Sequence, residues 1–468
     1  MTAPLFRSLD PATGETVWEG HEADAAQCDT AIAAARAALP AWRALPVDAR
    51  IAAVRRYAAA LEAGREDFAR LISRETGKLL WESRAELGSM IAKVDISIRA
   101  HAERTGEREA EMPFGRAILR HRGHGVMAVL GPYNFPGHLP NGHIVPALIA
   151  GNAIVFKPSE IAPATGAAMA AAWAEAGLPA GVFNLVQGGR ATGEALVAGD
   201  IDGLLFTGSA GAGAALRRAL IDRPHVILAL ELGGNNPLIA WDSPEAAASI
   251  IVQSAFVTTG QRCSCARRLI LPEGAAGDAI LEAVDALAGR LGIAAWDAPG
   301  EAFMGPLVSE AAADGARRAV SALEALGART IRRFATVEGR PGTFVTPAIY
   351  DVTGLAVPDS EIFAPVLQVT RVADFDAAIA AANRTVFGLS AGLISADDGL
   401  WARFVEGSRA GVVNRNRPTT GAAGNMPFGG LGASGNHRPS AYYAADYCAY
   451  PIASFESDAV AAVEIPGL

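Results

Sequence analysis

The chain has 468 residues and a net charge of −9, and 51% of its residues are hydrophobic and 19% charged. These values are typical of a globular protein with two or three domains, and the absence of a long basic run argues against a nucleic-acid partner. The four cysteines include no CxxC pair, which argues against a zinc site or a disulfide framework. A reducing, cytoplasmic location is therefore expected. The sequence shows neither an apolar signal core nor a membrane-length apolar run, so we expect no membrane partner.

The first quarter of the chain is predicted to be helical. In segments 29–39 and 47–62, larger apolar residues recur every three to four positions, and Pro40 and Pro46 punctuate the pattern. Further along, short apolar runs alternate with helix-like segments, which is typical of βαβ units around a parallel sheet, so the predicted fold class is α/β. The runs lie at 126–130, 153–156, 182–186, 204–206 and 226–230.

A second alternating region is predicted between about residues 235 and 430. The turn-forming cluster Asn235-Asn236-Pro237 marks the boundary between the two halves. The segment after Tyr450 is apolar without a helical pattern, and we expect it to pack against another surface, such as a second subunit. The elements of the second region lie at 266–271, 278–291, 344–349, 366–369, 375–382 and 411–414.

Cys263 in GQRCSC and Glu231 in ELGG form a candidate reactive pair. A thiolate is a strong nucleophile, and a carboxylate can activate water for a second step. Gly260 and Ser264 favour a polar turn around the cysteine, and the positive charge of Arg262 favours the thiolate. A buried, inert cysteine is the alternative for the hexapeptide taken alone.

A nucleotide site is indicated at the ends of two predicted strands. FTGS at 206–209 ends one strand, and Gly211 and Gly213 open the next helix, where backbone amides suit a phosphate. The dinucleotide fingerprint is imperfect, because Leu216 stands where a third glycine or alanine is expected. KPSE at 157–160 offers a cation and a carboxylate for ribose hydroxyls, and the carboxylate would repel a 2′-phosphate. Glycines that merely permit a turn, and a solvated charged turn, are the alternatives.

Asn134 lies in GPYNFP at 131–136, directly after a predicted strand. Its amide on a constrained loop can donate to an oxyanion. The alternative is an asparagine that only stabilises a turn.

Two further loop segments contain aromatic residues. EIFAP at 361–365 and PFGG at 427–430, each taken alone, are predicted to be turns with aromatic anchors.

Together, these segments resemble the aldehyde dehydrogenase superfamily, because all of them stand in that family's order over essentially the full chain. Segments 231–238, 253–257 and 421–451 further resemble the N-succinylglutamate 5-semialdehyde dehydrogenases, which oxidise that aldehyde in the succinyl-transfer route of arginine breakdown. Two features depart from the pattern. The stretch between Glu231 and Cys263 is slightly shorter than is usual in the family. Arg415 replaces an aromatic residue that is expected near the substrate entrance.

The resemblance implies a two-step reaction in which Cys263 is the nucleophile, Asn134 the oxyanion donor and Glu231 the base that activates water. It also implies NAD as the cofactor, with no metal. The implied cofactor contacts are Lys157, Ser159, Glu160, Thr207, Gly208, Ser209, Gly213, Glu361 and Phe363. A substrate with two carboxylates calls for cationic partners, although each candidate could instead form a structural salt bridge. The candidates are Arg262, Arg415, Arg417 and Arg438.

The fold implied by the resemblance has two parallel-sheet α/β domains and a small β-rich oligomerisation projection, which combines residues 105–122 with 450–457. A homodimer or homotetramer is expected. An enzyme that transfers the acyl group to coenzyme A is disfavoured by Glu231, and a non-catalytic family member is disfavoured by the conjunction of nucleophile, donor and base. A dehydrogenase of another small or anionic aldehyde stays open. The expected domains are NAD-binding (1–104 and 123–235), catalytic (236–435) and oligomerisation (105–122 and 436–468).

Overall fold

The computed structural model describes residues 5–463 and 465–467. Helices and strands alternate along most of it, as the apolar pattern predicted. The α-helices are α1 (Ala25–Ala44), α2 (Val47–Ala63), α3 (Arg65–Thr76), α4 (Leu80–Arg104), α5 (His138–Ile149), α6 (Pro163–Glu175), α7 (Arg190–Ala198), α8 (Ala210–Ala219), α9 (Pro244–Phe256), α10 (Ala275–Ala288), α11 (Glu310–Ala325), α12 (Phe375–Asn383), α13 (Asp398–Gly407) and α14 (Ala444–Cys448).

The β-strands begin near the N-terminus and continue to residue 456. They are β1 (Leu5–Leu9), β2 (Thr16–His21), β3 (Arg108–Met112), β4 (Gly115–Gly123), β5 (Val126–Leu130), β6 (Ala153–Lys157), β7 (Phe183–Leu185), β8 (Gly203–Gly208), β9 (Ile227–Leu232), β10 (Asn236–Ala240), β11 (Ala266–Pro272), β12 (Arg329–Arg332), β13 (Ala348–Asp351), β14 (Val366–Val372), β15 (Ser390–Ile394), β16 (Val412–Arg415), β17 (Pro427–Phe428), β18 (Ser440–Ala441) and β19 (Ala449–Glu456).

A five-stranded parallel sheet with the order β7-β6-β5-β8-β9 organises the first half of the chain. Successive residues of its central strands face opposite sides, since side chains alternate along a strand. Val129 and Phe156 pack in one hydrophobic cluster with Trp173 of α6, whereas Ala128 and Val155 pack in another. Both faces are therefore buried, which explains why these strands read as unbroken apolar runs.

A seven-stranded sheet with the order β12-β13-β14-β11-β10-β15-β16 organises the second half. Its neighbours are parallel except for the β12–β13 pair. The prediction of a turn at residues 235–237 is wrong for Asn236 and Pro237, which begin β10. The chain crosses from the first large sheet to the second between Leu232 and Asn236.

A three-stranded antiparallel sheet joins the region after helix α4 to the C-terminal region, in the order β19-β4-β3. The apolar segment after Tyr450 is a strand of this sheet. Within residues 5–463 and 465–467, no helix is long and apolar enough to cross a membrane.

The carboxyl ends of the parallel strands in the first sheet meet at one edge, the usual place for ligands in such sheets. Asn134 follows β5, Lys157 ends β6, Ser209 follows β8, and Glu231 lies near the end of β9. This edge therefore gathers four of the predicted site residues.

Candidate active site

The loop between α9 and β11 carries Cys263 on a strained turn. Thr258, Thr259 and Gly260 have φ angles of 54°, 53° and 71°, a left-handed conformation that is unfavourable for β-branched residues. A Cβ atom on Gly260 would lie 2.3 Å from the carbonyl oxygen of Ala364, so this position requires glycine. Strain of this kind persists where the surrounding structure imposes it, commonly at functional sites.

Asn236 holds the backbone of the nucleophile and of the two residues that follow it. Its Nδ2 donates to the carbonyl oxygens of Cys263 at 2.7 Å and Cys265 at 2.8 Å. Its Oδ1 accepts from the backbone N–H of Ser390 at 3.0 Å. The buried amide therefore ties the cysteine loop to the neighbouring strand β15.

Arg267 holds the same loop from inside the protein. Its guanidinium, buried in the core, donates to the carbonyl oxygens of Gly260 at 2.6 Å and Arg262 at 2.9 Å. It also lies 3.5 Å from the carboxylate of Glu361 and faces the ring of Phe363 at 5.3 Å. One buried cation thus links the nucleophile loop to the EIFAP segment.

Cys263 as a whole residue is partly exposed, whereas the other three cysteines are buried. Burial, followed by the negative charges of Glu361 and Glu231, raises the pKa of Cys263 to about 12, while the charge of Arg267 lowers it. The cation expected from the sequence to favour the thiolate was Arg262, but that guanidinium pairs with a buried glutamate on α4. Because both carboxylates act on the thiol, residues far apart in the chain share one electrostatic environment.

Glu231 is only 4% exposed. Burial raises its pKa well above the usual value, and a hydrogen bond donated by the backbone N–H of Ser440 opposes that shift. Its Oε2 is buried and makes no hydrogen bond to the described part of the chain. The carboxyl lines a cavity of about 280 Å³ together with Pro427, Gly429 and Arg438. A buried carboxylate with an open acceptor beside a cavity can take a proton from water.

Asn134 is buried in the loop between β5 and α5. Its backbone carbonyl accepts a hydrogen bond from Lys78 Nζ at 2.9 Å, and Lys78 pairs with the buried carboxylate of Glu86. Glu86 in turn accepts hydrogen bonds from the backbone N–H groups of Gly137 and His138, both at 3.0 Å. These contacts fix the loop through its backbone.

Lys157 ends β6 with its ammonium group directed at two carbonyl oxygens, those of Pro158 at 3.0 Å and Gly188 at 2.7 Å. Burial lowers the pKa of Lys157. Its Nζ lies 3.8 Å from the carboxylate of Glu160, whose side chain is 56% exposed. Ser159 between them is buried and accepts a hydrogen bond from the next turn. The strand end thus presents a cation and a carboxylate together.

Ser209 is the N-cap of α8, and its Oγ accepts a hydrogen bond from the backbone N–H of Ala212 at 3.2 Å. A Cβ atom on Gly211 would meet open space, whereas one on Gly213 would lie 2.6 Å from Leu232. Gly213 therefore permits close packing of α8 on the sheet, and the first turn of the helix stays open to an anionic ligand.

Thr207 and Gly208 end β8 beside the Glu231 strand, and Thr207 is paired in register with Glu231. The Thr207 hydroxyl lies 3.1 Å from His143 Nε2, and His143 Nδ1 lies 2.8 Å from the Tyr447 hydroxyl. Burial lowers the pKa of His143 to about 3, so this imidazole is neutral. The Thr207 side chain is thus engaged inside the protein.

Glu361 lies against the ELGG segment. The backbone N–H of Gly234 donates to its carboxylate, and a Cβ atom on Gly233 would lie 1.8 Å from Glu361 Oε2. Burial raises the pKa of Glu361, and the charge of Arg267 opposes this. Phe363 contacts Tyr133 edge to face, with ring centroids 6.0 Å apart. The EIFAP, ELGG and GPYNFP motifs therefore meet.

The aldehyde dehydrogenase family model matches residues 2–451. The chain belongs to the aldehyde dehydrogenase family. It is 64% identical over 456 residues to N-succinylglutamate 5-semialdehyde dehydrogenase 2 of Caulobacter vibrioides, covering 97% of this chain and 93% of that protein. N-succinylglutamate 5-semialdehyde dehydrogenase of Escherichia coli K12 is 54% identical over 456 residues, covering 96% and 92%. A solved NAD-dependent aldehyde dehydrogenase from Sinorhizobium meliloti is 27% identical with a TM-score of 0.92, covering 99% and 94%.

The four arginines predicted to bind substrate lie in different surroundings in this aldehyde dehydrogenase. Arg262 is adjacent to the nucleophile and partly exposed. Arg438 lines the cavity that contains the carboxyl of the predicted base. Arg415 is held by Asp398 at 2.6 Å, and Arg417 is exposed. Arg262 and Arg438 thus lie next to residues of the predicted catalytic set, whereas Arg415 already has an acidic partner.

Several residues that shape the site of this aldehyde dehydrogenase were not predicted from the sequence. Asn236 is the second residue after ELGG, but its position before a proline indicated a turn. Arg267 stands shortly after the nucleophile, which was the one available signal. Lys78 and Glu86 carried no signal, because charged residues in a helix-forming segment normally face solvent.

Proposed function

We propose that this aldehyde dehydrogenase oxidises N-succinyl-L-glutamate 5-semialdehyde to N-succinyl-L-glutamate with NAD, in the succinyl-transfer route of arginine breakdown. The observation that carries the substrate assignment is the 64% identity over 97% of the chain to a Caulobacter vibrioides enzyme of that name. Substrate choice depends on a few pocket residues, so a direct comparison of aldehydes tests the assignment.

The first half of the proposed reaction makes a bond between Cys263 and the substrate. The thiol loses its proton to solvent, and the thiolate attacks the aldehyde carbon, whose oxygen becomes an oxyanion. The side-chain amide of Asn134 and the backbone N–H of Cys263 would donate to that oxyanion. One such donor is typically worth about 3 kcal/mol, or about 10²–10³ in rate.

When bound, a nicotinamide cofactor would supply the acceptor for the hydride of the former aldehyde carbon, and Cys263 would then hold the acyl group as a thioester. Glu231 then takes a proton from water, and the resulting hydroxide attacks the thioester carbon. Release of the acid restores the Cys263 thiolate. In balance, aldehyde, NAD⁺ and water give carboxylate, NADH and protons.

The family uses NAD or NADP, as its NAD-dependent and NADP-dependent solved members illustrate. The site fits a dinucleotide, because the first turn of α8 is open at Gly211 and because Glu361 Oε1, which lies 3.5 Å from Nη2 of Arg267, makes no hydrogen bond to the described residues. Lys157 and Glu160 would bind the adenosine ribose, and Glu361 with Phe363 the nicotinamide ribose. The exposed charge of Glu160 favours NAD, since it would repel a 2′-phosphate.

The proposed contacts of the pyrophosphate are on α8 and the end of β8. Gly208, Ser209 and Gly213 would approach it, supported by the backbone N–H groups of the open helix terminus. Ser159 and Thr207 are buried, and we propose that they support the residues that contact the cofactor.

The proposed assembly is a homodimer or homotetramer formed through the three-stranded sheet. Phe114 and Phe455 on this sheet are 50% and 70% exposed and stack edge to face at 5.9 Å. An exposed aromatic pair beside free strand edges favours contact with a second copy. Light scattering of the purified protein tests this, and Phe455→Glu should weaken the assembly.

The domain limits and the location are also part of the proposal. The limits are 1–104 with 123–235, then 236–435, then 105–122 with 436–468, and they are supported by the three largest sheets, one of which falls mainly in each part. A cytoplasmic location is supported by the free state of all four cysteines.

The deciding experiment compares kcat/KM for N-succinylglutamate 5-semialdehyde and free glutamate 5-semialdehyde, each with NAD and NADP. We expect the succinylated substrate with NAD to be strongly preferred. Equal efficiency on both aldehydes would reject the substrate assignment, and equal use of both cofactors would reject the assignment of NAD.

A further inference from the structure

Helix α4 carries three buried charged residues, Glu82, Glu86 and Lys93, each only 2% exposed. Their spacing of four and seven positions places them on one face of the helix. Buried charges are unfavourable unless specific partners compensate them. Here the partners are not limited to the helix itself, because each residue reaches a different loop of the proposed catalytic site.

Glu82 contacts the loop that carries the nucleophile. Its Oε1 accepts a hydrogen bond from the hydroxyl of Thr258 and lies 3.5 Å from Nη2 of Arg262. Arg262 Nε donates to the same hydroxyl at 2.7 Å. Thr258 is one of the residues held at a positive φ angle, so Glu82 stabilises the strained start of the turn that presents Cys263.

Glu86 contacts the loop that carries the oxyanion donor. Its Oε1 accepts from the backbone N–H groups of Gly137 and His138 at 3.0 Å each. Its Oε2 pairs with Lys78, which donates to the carbonyl oxygen of Asn134 at 2.9 Å. One carboxylate therefore fixes residues 134–138 at both ends, directly at Gly137 and His138 and through Lys78 at Asn134.

Lys93 contacts the segment that touches the proposed base. Its Nζ donates to the carbonyl oxygen of Ala441 at 2.8 Å, and Ala441 has a φ angle of 59°. The preceding residue, Ser440, donates its backbone N–H to the carboxylate of Glu231. Lys93 therefore holds the strained residue next to Ser440, whose backbone N–H acts on that carboxylate.

We propose that Glu82, Glu86 and Lys93 are positioning residues through which α4 aligns the nucleophile, the oxyanion donor and the base. The inference rests on the catalytic roles in the proposed function and is independent of the identity of the aldehyde. A purely structural role would lower the folded fraction and thereby reduce every step of the reaction by the same factor. A positioning role predicts that each substitution slows a different step.

The test measures three quantities on the purified full-length protein, with whichever aldehyde it oxidises best. They are the rate of NADH formation in a single turnover, the rate of acid release by rapid quenching, and the rate of alkylation of Cys263 by iodoacetamide. Alkylation requires the thiol but neither an oxyanion donor nor a base for water, so it isolates the nucleophile. Rates are normalised to the concentration of titratable Cys263.

The three variants should give three different patterns, each with a loss of about tenfold or more in the affected rate, since small displacements of reacting groups have effects of that size. Glu82→Gln should slow alkylation and NADH formation. Glu86→Gln should slow NADH formation and leave alkylation unchanged. Lys93→Met should leave both unchanged and slow acid release. A uniform loss across all measurements, or no loss, would overturn the proposal.

Glu86→Gln leaves the buried ammonium of Lys78 without its carboxylate, which can prevent folding. The double variant Lys78→Met/Glu86→Gln removes both charges and should show the same selective loss. Asp95→Asn is the matched control, because this acid is exposed on the same helix, 3.9 Å from Arg55, and should change nothing.

Cys263→Ala distinguishes a failure of the proposed function from a failure of the proposed positioning role of α4. If this variant still oxidises the aldehyde, the proposed function fails. If it is inactive while the α4 variants show equal losses in every step, the proposed function stands and the positioning role of α4 is rejected.

Discussion

Asn236 Nδ2 donates a hydrogen bond to the carbonyl oxygen of Cys263 at 2.7 Å, and the same amide nitrogen reaches the carbonyl oxygen of Cys265 at 2.8 Å. Asn236, the first residue of strand β10, thus fixes the backbone on both sides of Ser264, the residue after the nucleophile. A nucleophile held through its own backbone keeps its side chain free to react.

Asn236→Ala should reduce both stability and catalysis. It leaves three backbone groups without this partner, two of them in buried contacts, and each buried group left unpaired costs about 1–3 kcal/mol. We expect unfolding free energy and kcat/KM both to fall, measured by denaturant unfolding and by steady-state kinetics. Asn383→Ala is the control, because Asn383 bridges Gly407 and Arg409 in a similar way away from the cysteine loop. It should lose stability alone; a matching loss of kcat/KM would contradict the role of Asn236.

Cys263→Ala should abolish NADH formation and leave the protein folded. The residue is partly exposed, so its truncation creates little cavity, and the melting temperature should barely move. Activity is followed by absorbance of NADH. Cys28→Ala, at a buried cysteine in the first sheet's core, should lower the melting temperature and retain activity.

Glu231→Gln should slow hydrolysis of the thioester more than the first hydride transfer, because the amide cannot accept the proton of water. A burst of NADH followed by a steady rate reduced about 10²–10⁴-fold is expected in rapid-mixing experiments. An unchanged steady rate would remove Glu231 from its proposed role.

The reactivity of Cys263 should rise with pH across the neutral and mildly alkaline range. Its thiol has a pKa of about 12 in the protein without ligands, so the thiolate fraction grows about tenfold for each unit of pH below that value. Glu361→Gln removes the largest of the charges that raise this pKa and should shift the alkylation profile toward lower pH. A profile that moves to higher pH, or not at all, would contradict the electrostatic argument.

Glu160→Gln should weaken the discrimination against NADP. The exposed carboxylate lies 3.8 Å from Lys157, and its removal takes away the negative charge that would repel a 2′-phosphate. The ratio of kcat/KM for NADP to that for NAD should increase. Glu194→Gln, at another exposed acid paired with Arg190, should leave the ratio unchanged.

Much of the fold was predictable because parallel strands covered on both faces read as apolar runs. Strand β5 occupies Val126–Leu130, as predicted, and β6 and β11 extend their predictions by one residue. Strand β10 was missed because Asn-Pro usually marks a turn, whereas here the Asn236 side chain satisfies three backbone groups. Those groups lie in the cysteine loop and at the start of β15, which are remote in sequence.

The catalytic candidates could be proposed from sequence because each lies in a motif of unusual local composition. The residues that hold the catalytic loops in place could not be predicted in this way. Glu82, Glu86 and Lys93 are charged residues of a helix, and the local pattern does not distinguish a buried face from a solvated one when the partners are distant loops.

The sequence by itself determined the α/β class, the strand-end positions of Asn134, Lys157 and Glu231, and the resemblance that names Cys263 as nucleophile, since all of these depend on local order along the chain. The tertiary structure decided which charges surround the thiol and which side chains align the loops. Electrostatic and hydrogen-bond contacts act through distance in space, so Glu361 rather than the adjacent Arg262 is the charge that most affects Cys263.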